Sequence, residues 1–543
     1  MNGLTGTGKL IRLALRRDRI KLPAWVLIIV LLLAVNVPAV LNFYVGSDQE
    51  RITYAVTNAS SLIGRLFNGP LGGPEIGEIV TNETFMFASV MTAFMSTLAI
   101  VRHTRQNEET GRAELIGSAV VARHSQLVAA LVVTIGANII LAVLVALALM
   151  AQDLSVSGSI GFGAALGAIG ICFAGFAAIT SQLSESARGA NSMAGALIGL
   201  FFLLRAAGDS LGHLTEDKMG VVSLWPSWLS PFGWGQQIYF FTEQNWWIFG
   251  LFGALFVVLV AVAFYLNSRR DLGSGILPAR RGPAHAAASL LSPFGLAWRL
   301  QKGILIGWAV AMAVFGLTIG LVVKEFSKLF TENKEMREFL RSLGGQGSFE
   351  DVFFAGMLLY LCLFISAYVV QSLQRMQAEQ SSGRLEPLLV TGVSKYSWIM
   401  SYLLCALVGI AVLLLILGIS TSVTYILVAD APWSNVWELT AAAFVHAPAI
   451  LVLAGFAVAS FAILPRASVV LSWLGFGLVL FIGQFSGLLK LPQGIQNISP
   501  FTHSPTPPAE AVSLLPLVVL SAVALALTIV GLVWFRRRDV ING

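Results

Sequence analysis

Long apolar runs interrupt this chain again and again, and they decide what it can fold into. Twelve are readable, near residues 22–45, 84–101, 126–150, 160–180, 191–208 and 247–266, then 303–323, 351–372, 397–428, 437–463, 468–489 and 512–535. A helix rises about 1.5 Å per residue, so about 20 apolar residues cross the hydrocarbon of a bilayer. Inside lipid the backbone finds no water, and a helix satisfies all its polar groups within one segment. Composition enters here as a consequence. Of 543 residues 56% are hydrophobic and 11% charged, with mean hydropathy +0.80, whereas a soluble chain carries about 25% charged residues. There is too little polar surface to coat a water-soluble globule. Spans and their loops use up the chain, which leaves no room for a separate soluble enzyme domain.

The same reading narrows the chemistry. Cys172, Cys362 and Cys405 all lie in apolar runs, and no CxxC or Cys/His cluster accompanies them. Neither a zinc site nor a disulfide framework is indicated, and no catalytic, metal or cofactor site is expected on the chain. The net charge of +6 does not point to nucleic acid, because the charges flank apolar segments. Arg16, Arg17, Arg19 and Lys21 precede the first run like the n-region of a signal peptide. The run is too long for an h-region and no small-x-small cleavage site follows. A retained anchor with a cytoplasmic N-terminus is expected. Twelve spans then place most of the 34 Lys and Arg inside, as the positive-inside rule requires, with both termini in the cytoplasm of a cell whose plasma (inner) membrane holds the protein. Trp225, Trp228, Trp234, Trp246 and Trp247, before the sixth run, read as a belt at the outer interface.

The chain also repeats itself. Gly111-Arg112-Ala113-Glu114 follows the second run, and Gly383-Arg384-Leu385-Glu386 follows the eighth. Ungapped, the match pairs Val121 with Val393, Arg123 with Lys395 and Ser125 with Ser397. Ser230-Pro231-Phe232 and Ser499-Pro500-Phe501 precede the sixth and twelfth runs, and Arg269-Arg270-Asp271 and Arg537-Arg538-Asp539 close them. Three matches in order at a nearly constant offset indicate two six-helix halves of the same orientation. The expected fold is all-α and polytopic, with 1–271 as the first half, 272–298 as a cytoplasmic linker and the start of a second interfacial helix, and 299–543 as the second half. Leu13-Ala14-Leu15-Arg16 and Leu296-Ala297-Trp298-Arg299 open the halves as basic, partly amphipathic stretches suited to the inner interface.

The loops 102–124 and 374–396 are too polar for lipid and too short to fold alone. Each reads as a short helix and a turn, with Glu109, Arg112 and Glu114 displayed outward in the first, suited to docking on a soluble partner. The G-R-x-E segment, the interfacial stretch, S-P-F and the terminal R-R-D together resemble ABC-2 type permeases. More narrowly, the fused twelve-helix form resembles actinobacterial permeases described as exporters of polyketide antibiotics. The resemblance spans essentially the whole chain and rests on the order and spacing of short motifs. It implies a type V exporter fold with a coupling helix after the second and eighth spans. Glu109, Gly111, Arg112 and Glu114 would contact one ATPase copy, and Gly383, Arg384 and Glu386 the other. Ser381 stands where the first half has Glu109, so the contacts need not be equivalent. Secondary contacts would come from Ser184 to Arg188 and from Pro465-Arg466. ATP and Mg²⁺ would be held by two copies of the partner ATPase.

Gly3 to Lys9 has Walker A spacing, but Leu10 stands where Ser or Thr must hold Mg²⁺, and only two residues precede it. Ionisable and amide groups inside spans are candidate functional sites. Arg205 and Asp209, four apart, can pair with one another; His446, just before Pro448, can line a cavity or bond a neighbouring helix; Asn138 and Gln484 can bridge helices. Few charges line the spans, which suits a hydrophobic or amphiphilic small molecule. The competing readings are a proton-coupled secondary transporter with parallel six-helix repeats, which would want more intramembrane carboxylates, and a non-transporting membrane scaffold.

Overall fold

The computed structural model describes residues 4–44, 48–277, 282, 284–332, 348–485 and 492–538. The chain divides into two compact units, Met1–Gly282 and Pro283–Gly543. Among the described residues, eleven helices are long and apolar enough to cross a membrane. The protein is an all-α, multi-pass membrane protein, and its described strands are one short antiparallel ribbon, His213–Leu214 paired with Val221–Val222.

In the first unit the long helices are Lys21–Tyr44, Ile76–His103, Ser125–Met150, Val156–Leu183, Ala187–Ser210 and Ile248–Arg269. The second of them starts well before the expected residue 84, because polar residues there are paid into the protein rather than into lipid. Glu78 Oε1 accepts from the Phe241 N–H at 2.9 Å, and Asn82 Nδ2 donates to the Gly69 carbonyl at 3.2 Å. Val156–Leu183 is buried on nearly every side, and its small residues let neighbours approach. A Cβ at Gly163 would strike the Ala142 carbonyl oxygen, and one at Gly170 would strike Asn138 Oδ1. Without a hydrophobic drive between helices in lipid, such close packing is what holds a bundle together. The segment 46–83, whose residues 46–47 lie outside the described residues, carries helices Asp48–Ser60 and Leu62–Phe67.

The second unit has Pro293–Glu332, Phe349–Leu373, Lys395–Ala429, Asn435–Val445 with Ala447–Ile463, Ser468–Phe485 and Leu514–Arg537. The tenth run breaks at His446 because Pro448 cannot donate to the preceding turn. The eleventh is described only to Phe485, short of the expected 489. The stretch 324–349 is helical to Glu332, and residues 333–347 lie outside the described residues.

One expectation is corrected here. The first unit has a separate opening helix, Thr7–Arg17, ahead of Lys21–Tyr44. In the second unit the equivalent stretch opens one continuous helix of 40 residues, Pro293–Glu332, so there the opening stretch and the span are not separate helices. Pro23 supplies the physical reason. Falling in the first turn of Lys21–Tyr44, it has no N–H to carry the opening helix's hydrogen-bond ladder onto the Arg19 carbonyl, and no proline follows Pro293 in the second stretch. Of the linker, residues 278–281 and 283 lie outside the described residues. The N-terminal segment with Walker A spacing is tied to protein: the Thr5 carbonyl accepts from the Ala122 N–H at 2.9 Å and from Ser125 Oγ at 2.8 Å.

Pro293–Glu332 lies along Lys395–Ala429 through Gly316 and Gly320. A Cβ at Gly320 would strike Thr424 Oγ1 and the Thr421 carbonyl, whereas one at Gly303 meets nothing within 4 Å. Gly320→Leu is expected to destabilise the unit by about 1–3 kcal/mol, the usual effect of overpacking, and Gly303→Leu to leave it unchanged. Thermal unfolding of the two purified variants measures the difference.

Candidate functional site

Two features stand apart from the bundle as places where the protein can act: the charged loops after the second and eighth runs, and a cavity in the first unit.

Each loop is a short helix, a glycine and a second short helix. After Ile76–His103 come Arg105–Glu109, Gly111 and Arg112–Gly117; after Phe349–Leu373 come Arg375–Ser381, Gly383 and Leu385–Val390. Both glycines sit at φ 70°, the left-handed region in which a Cβ is disfavoured. The turn therefore explains why glycine opens both G-R-x-E segments. Arg112, Glu114, Arg384 and Glu386 are exposed, and Arg384 Nη1 lies 3.7 Å from Glu379 Oε1. Glu109 stays at the surface, yet its Oε2 accepts from the Ala187 N–H at 2.9 Å, capping the helix Ala187–Ser210. Beside these charges stand exposed apolar side chains, Leu115 at 76%, Val120 at 68% and Val390 at 85% exposure. In a sequence so rich in aliphatic residues they carry no contrast, and only the folded surface singles them out.

The loops are clamped from beneath by residues that sequence reasoning did not connect. Glu108, buried, accepts from Arg270 Nη2 at 2.5 Å and Nη1 at 2.7 Å, and from Arg105 Nη1 at 2.8 Å. Arg105 itself donates to the Ser181 carbonyl at 2.9 Å, and Arg270 Nε to Gln182 Oε1 at 2.6 Å. One carboxylate thus joins the loop to the ends of helices Val156–Leu183 and Ile248–Arg269. In the register set by Gly111 and Gly383, Glu108 corresponds to Gln380, and Arg270 to Arg538 in the paired R-R-D. The contact recurs with a neutral acceptor: Arg538 Nη2 donates to Gln380 Oε1 at 2.6 Å, and Nη1 to the Phe461 and Ala462 carbonyls at 2.9 and 3.0 Å. Arg123 Nη2 donates to the Arg270 carbonyl at 2.5 Å, and Lys395 Nζ to the Arg538 carbonyl at 2.7 Å.

A second joint ties the opening helix to the first loop. Asp18, buried just after Thr7–Arg17, accepts from Arg102 Nη1 at 2.7 Å, and its other oxygen lies 2.7 Å from His103 Nε2. Arg17 also donates to Asn107 Oδ1. Burial works against the Asp18 carboxylate, but hydrogen bonds and charge from His103 and Arg102 outweigh it and hold its pKa below the ordinary value. In the register of the opening stretches, Asp18 corresponds to Gln301, a buried amide that accepts from Ser372 Oγ.

The intramembrane candidates fall at different places. Asn138 Nδ2 donates to Ser96 Oγ and the Thr134 carbonyl, both at 2.9 Å, and so bridges two helices. Arg205, fully buried, lies 3.4 Å from Asp209 and donates to the Leu66 carbonyl at 2.8 Å and those of Arg65 and Phe67 at 3.3 Å. It neutralises the C-terminal end of helix Leu62–Phe67, where carbonyls lack helical partners. His446 Nδ1 lies 2.8 Å from Ser504 Oγ, at the break in the tenth run. Gln484 belongs to helix Ser468–Phe485, and its side chain lies outside the described residues.

The cavity, about 590 Å³, opens between helices Ile76–His103 and Ala187–Ser210. Phe67, Phe87, Phe94, Phe202 and Met86 give it an apolar wall, and Gly195 and Gly199 leave the second helix bare where it faces the space. Asn68, Asn82 and Glu83 form a polar end. Such a space, mostly apolar with a few polar groups converging at one end, is the common form of a small-molecule site.

Apolar spans, an aromatic cavity between two of them and a pair of clamped charged loops define a helical membrane permease. Comparison with known proteins gives the particular kind. Residues 290–536 match the family model described as multidrug efflux system permease Rv1217c, C-terminal domain. The chain is 35% identical over 542 residues to the multidrug efflux system permease protein Rv1217c of Mycobacterium tuberculosis, a match covering 99% of this chain and 96% of that one. The chain therefore belongs to the Rv1217c family of multidrug efflux permeases, transport components rather than enzymes.

Two expectations follow from the joints. Because folding depresses the Asp18 pKa, its stabilisation is complete above the unfolded value of about 3.9 and is lost as pH falls through the folded one. Asp18→Asn should cost on the order of 2 kcal/mol at neutral pH, and melting curves of wild type and variant should converge below about pH 4. Arg270→Ala leaves a buried carboxylate with Arg105 as its one ionic partner and should destabilise by about 3 kcal/mol. Arg538→Ala faces a neutral amide and should cost about 1 kcal/mol. Denaturant unfolding of the two variants side by side gives the comparison.

Proposed function

We propose that the chain is the permease of an ATP-binding-cassette exporter of the ABC-2, type V kind, moving hydrophobic or amphiphilic small molecules, drugs among them, out of the cell. Two copies of a separate ATPase would drive it and carry the ATP and Mg²⁺. The observation that carries the reading is the pair of charged helix–glycine–helix loops, alike in both units and clamped to the last helix of each. A loop that served only to hold topology needs no such clamp, whereas a loop that transmits force must be rigidly joined to the helices it moves. Arg112, Glu114, Leu115 and Val120 would meet one ATPase copy, and Arg384, Glu386 and Val390 the other. An exposed apolar side chain ringed by charges is the pattern of an interface anchor. Glu109, engaged at the Ala187 N–H, would contribute by fixing the loop. Family membership supports the cargo class: the mycobacterial relative bears the name of a multidrug efflux permease. The cavity lined by Phe87 and Phe202 would hold the cargo. The distribution of Lys and Arg supports a plasma-membrane orientation with both termini in the cytoplasm.

The test is isolation of the detergent-solubilised protein from its native membrane, with ATPase activity measured for wild type and for Arg112→Ala/Arg384→Ala. The expected result is a co-purifying ATPase at two copies per permease, lost or uncoupled in the double variant. A permease that emerges alone, with no ATPase activity following it, contradicts the reading.

A further inference from the structure

We infer that the cavity of the first unit selects organic cations: apolar, aromatic-bodied molecules carrying one positive charge, which Glu83 receives. The inference rests on the reading of that cavity as the cargo site. Among the residues lining it, Glu83 is the one ionisable group. Tyr54 Oη donates to Glu83 Oε1 at 2.5 Å, which fixes the carboxyl, while Oε2 has no hydrogen-bond partner among the described residues. An acceptor held in place with one oxygen unused is suited to a cationic donor or a quaternary centre. Phe67, Phe87, Phe94 and Phe202 surround the remaining space. Their faces carry negative quadrupole potential and attract cations electrostatically, an attraction that grows as water is excluded.

The charges nearby do not oppose this. Arg205 is engaged by Asp209 and by the carbonyls of helix Leu62–Phe67. Arg65 is engaged by the Ser210 and Gly212 carbonyls. The Arg205 guanidinium already lies 4.9 Å from the centre of the Phe202 ring, so this wall accepts a cation in the protein itself. An anion of the same shape would meet the Glu83 carboxyl and the ring faces, with only neutral amides, Asn68 and Asn82, to donate to it. Asn82 is occupied at Gly69 and at Tyr54.

Tetraphenylphosphonium and tetraphenylborate share a shape and differ in sign, which makes them the probes. Binding of each to the purified full-length protein is measured by equilibrium dialysis against protein-free micelles. The phosphonium should bind at least about tenfold more tightly than its micelle-corrected counterpart, the effect of one favourable ionic contact. Glu83→Gln should abolish that preference, Glu83→Asp should retain it, and Phe87→Ala should weaken both probes. If Glu83→Gln keeps the preference while Phe87→Ala weakens binding, the charge inference falls and the cavity remains the cargo site. If Phe87→Ala leaves both probes unaffected, the cavity is not the cargo site and the inference falls with it.

Discussion

A polar group that enters a bilayer leaves its water behind, and the protein must supply the replacement. That constraint organises this structure. Glu78 and Asn82 start a helix well outside the apolar run because Phe241 offers an N–H to the one and Gly69 a carbonyl to the other. Arg205 is admitted because it caps three carbonyls and faces Asp209. Asn138 is admitted because Ser96 stands opposite. Each such group fastens one element to another, so satisfaction of polar groups and assembly of the bundle are the same event.

At the ends of the helices the same rule builds the joints. Glu108 is removed from water and compensated by Arg105 and Arg270, which in turn hold the Ser181 carbonyl and the Gln182 side chain at the end of a neighbouring helix. Motion of the first loop must then carry with it the helices Val156–Leu183 and Ile248–Arg269, since separating them would strand a buried charge. The second unit keeps the geometry with weaker chemistry. Gln380 replaces Glu108 and Gln301 replaces Asp18, so a neutral amide stands at each joint where the first unit has a buried carboxylate. The two loops are alike in shape and unequal in attachment.

Hydropathy made the spans legible, because twenty apolar residues in a row admit few alternatives. It failed where polar residues are satisfied by the protein itself, as at Ile76–Asn82, and where a single proline decides continuity, as Pro23 does in the first unit. The loops were legible from Gly111 and Gly383, since a left-handed turn constrains residue type strongly. The clamps were not. Glu108 and Arg270 are far apart in sequence, and the substitution by Gln380 hides their equivalence from any search for matching charges. Leu115 and Val390 were hidden for the opposite reason, being ordinary residues in an aliphatic chain. Glu83 fell before the expected start of its span and so escaped the search for intramembrane charges.

The central claim is that these loops are the place where an energy source grips the permease. The direct measurement is site-specific photo-crosslinking in native membranes from a benzoylphenylalanine placed at 115 and, separately, at 390, with the products identified by mass spectrometry. The account predicts one and the same ATP-binding protein crosslinked from both positions, with a probe at the lipid-facing Val257 giving none. Adducts to lipid alone, or to no nucleotide-binding partner from either position, would contradict it.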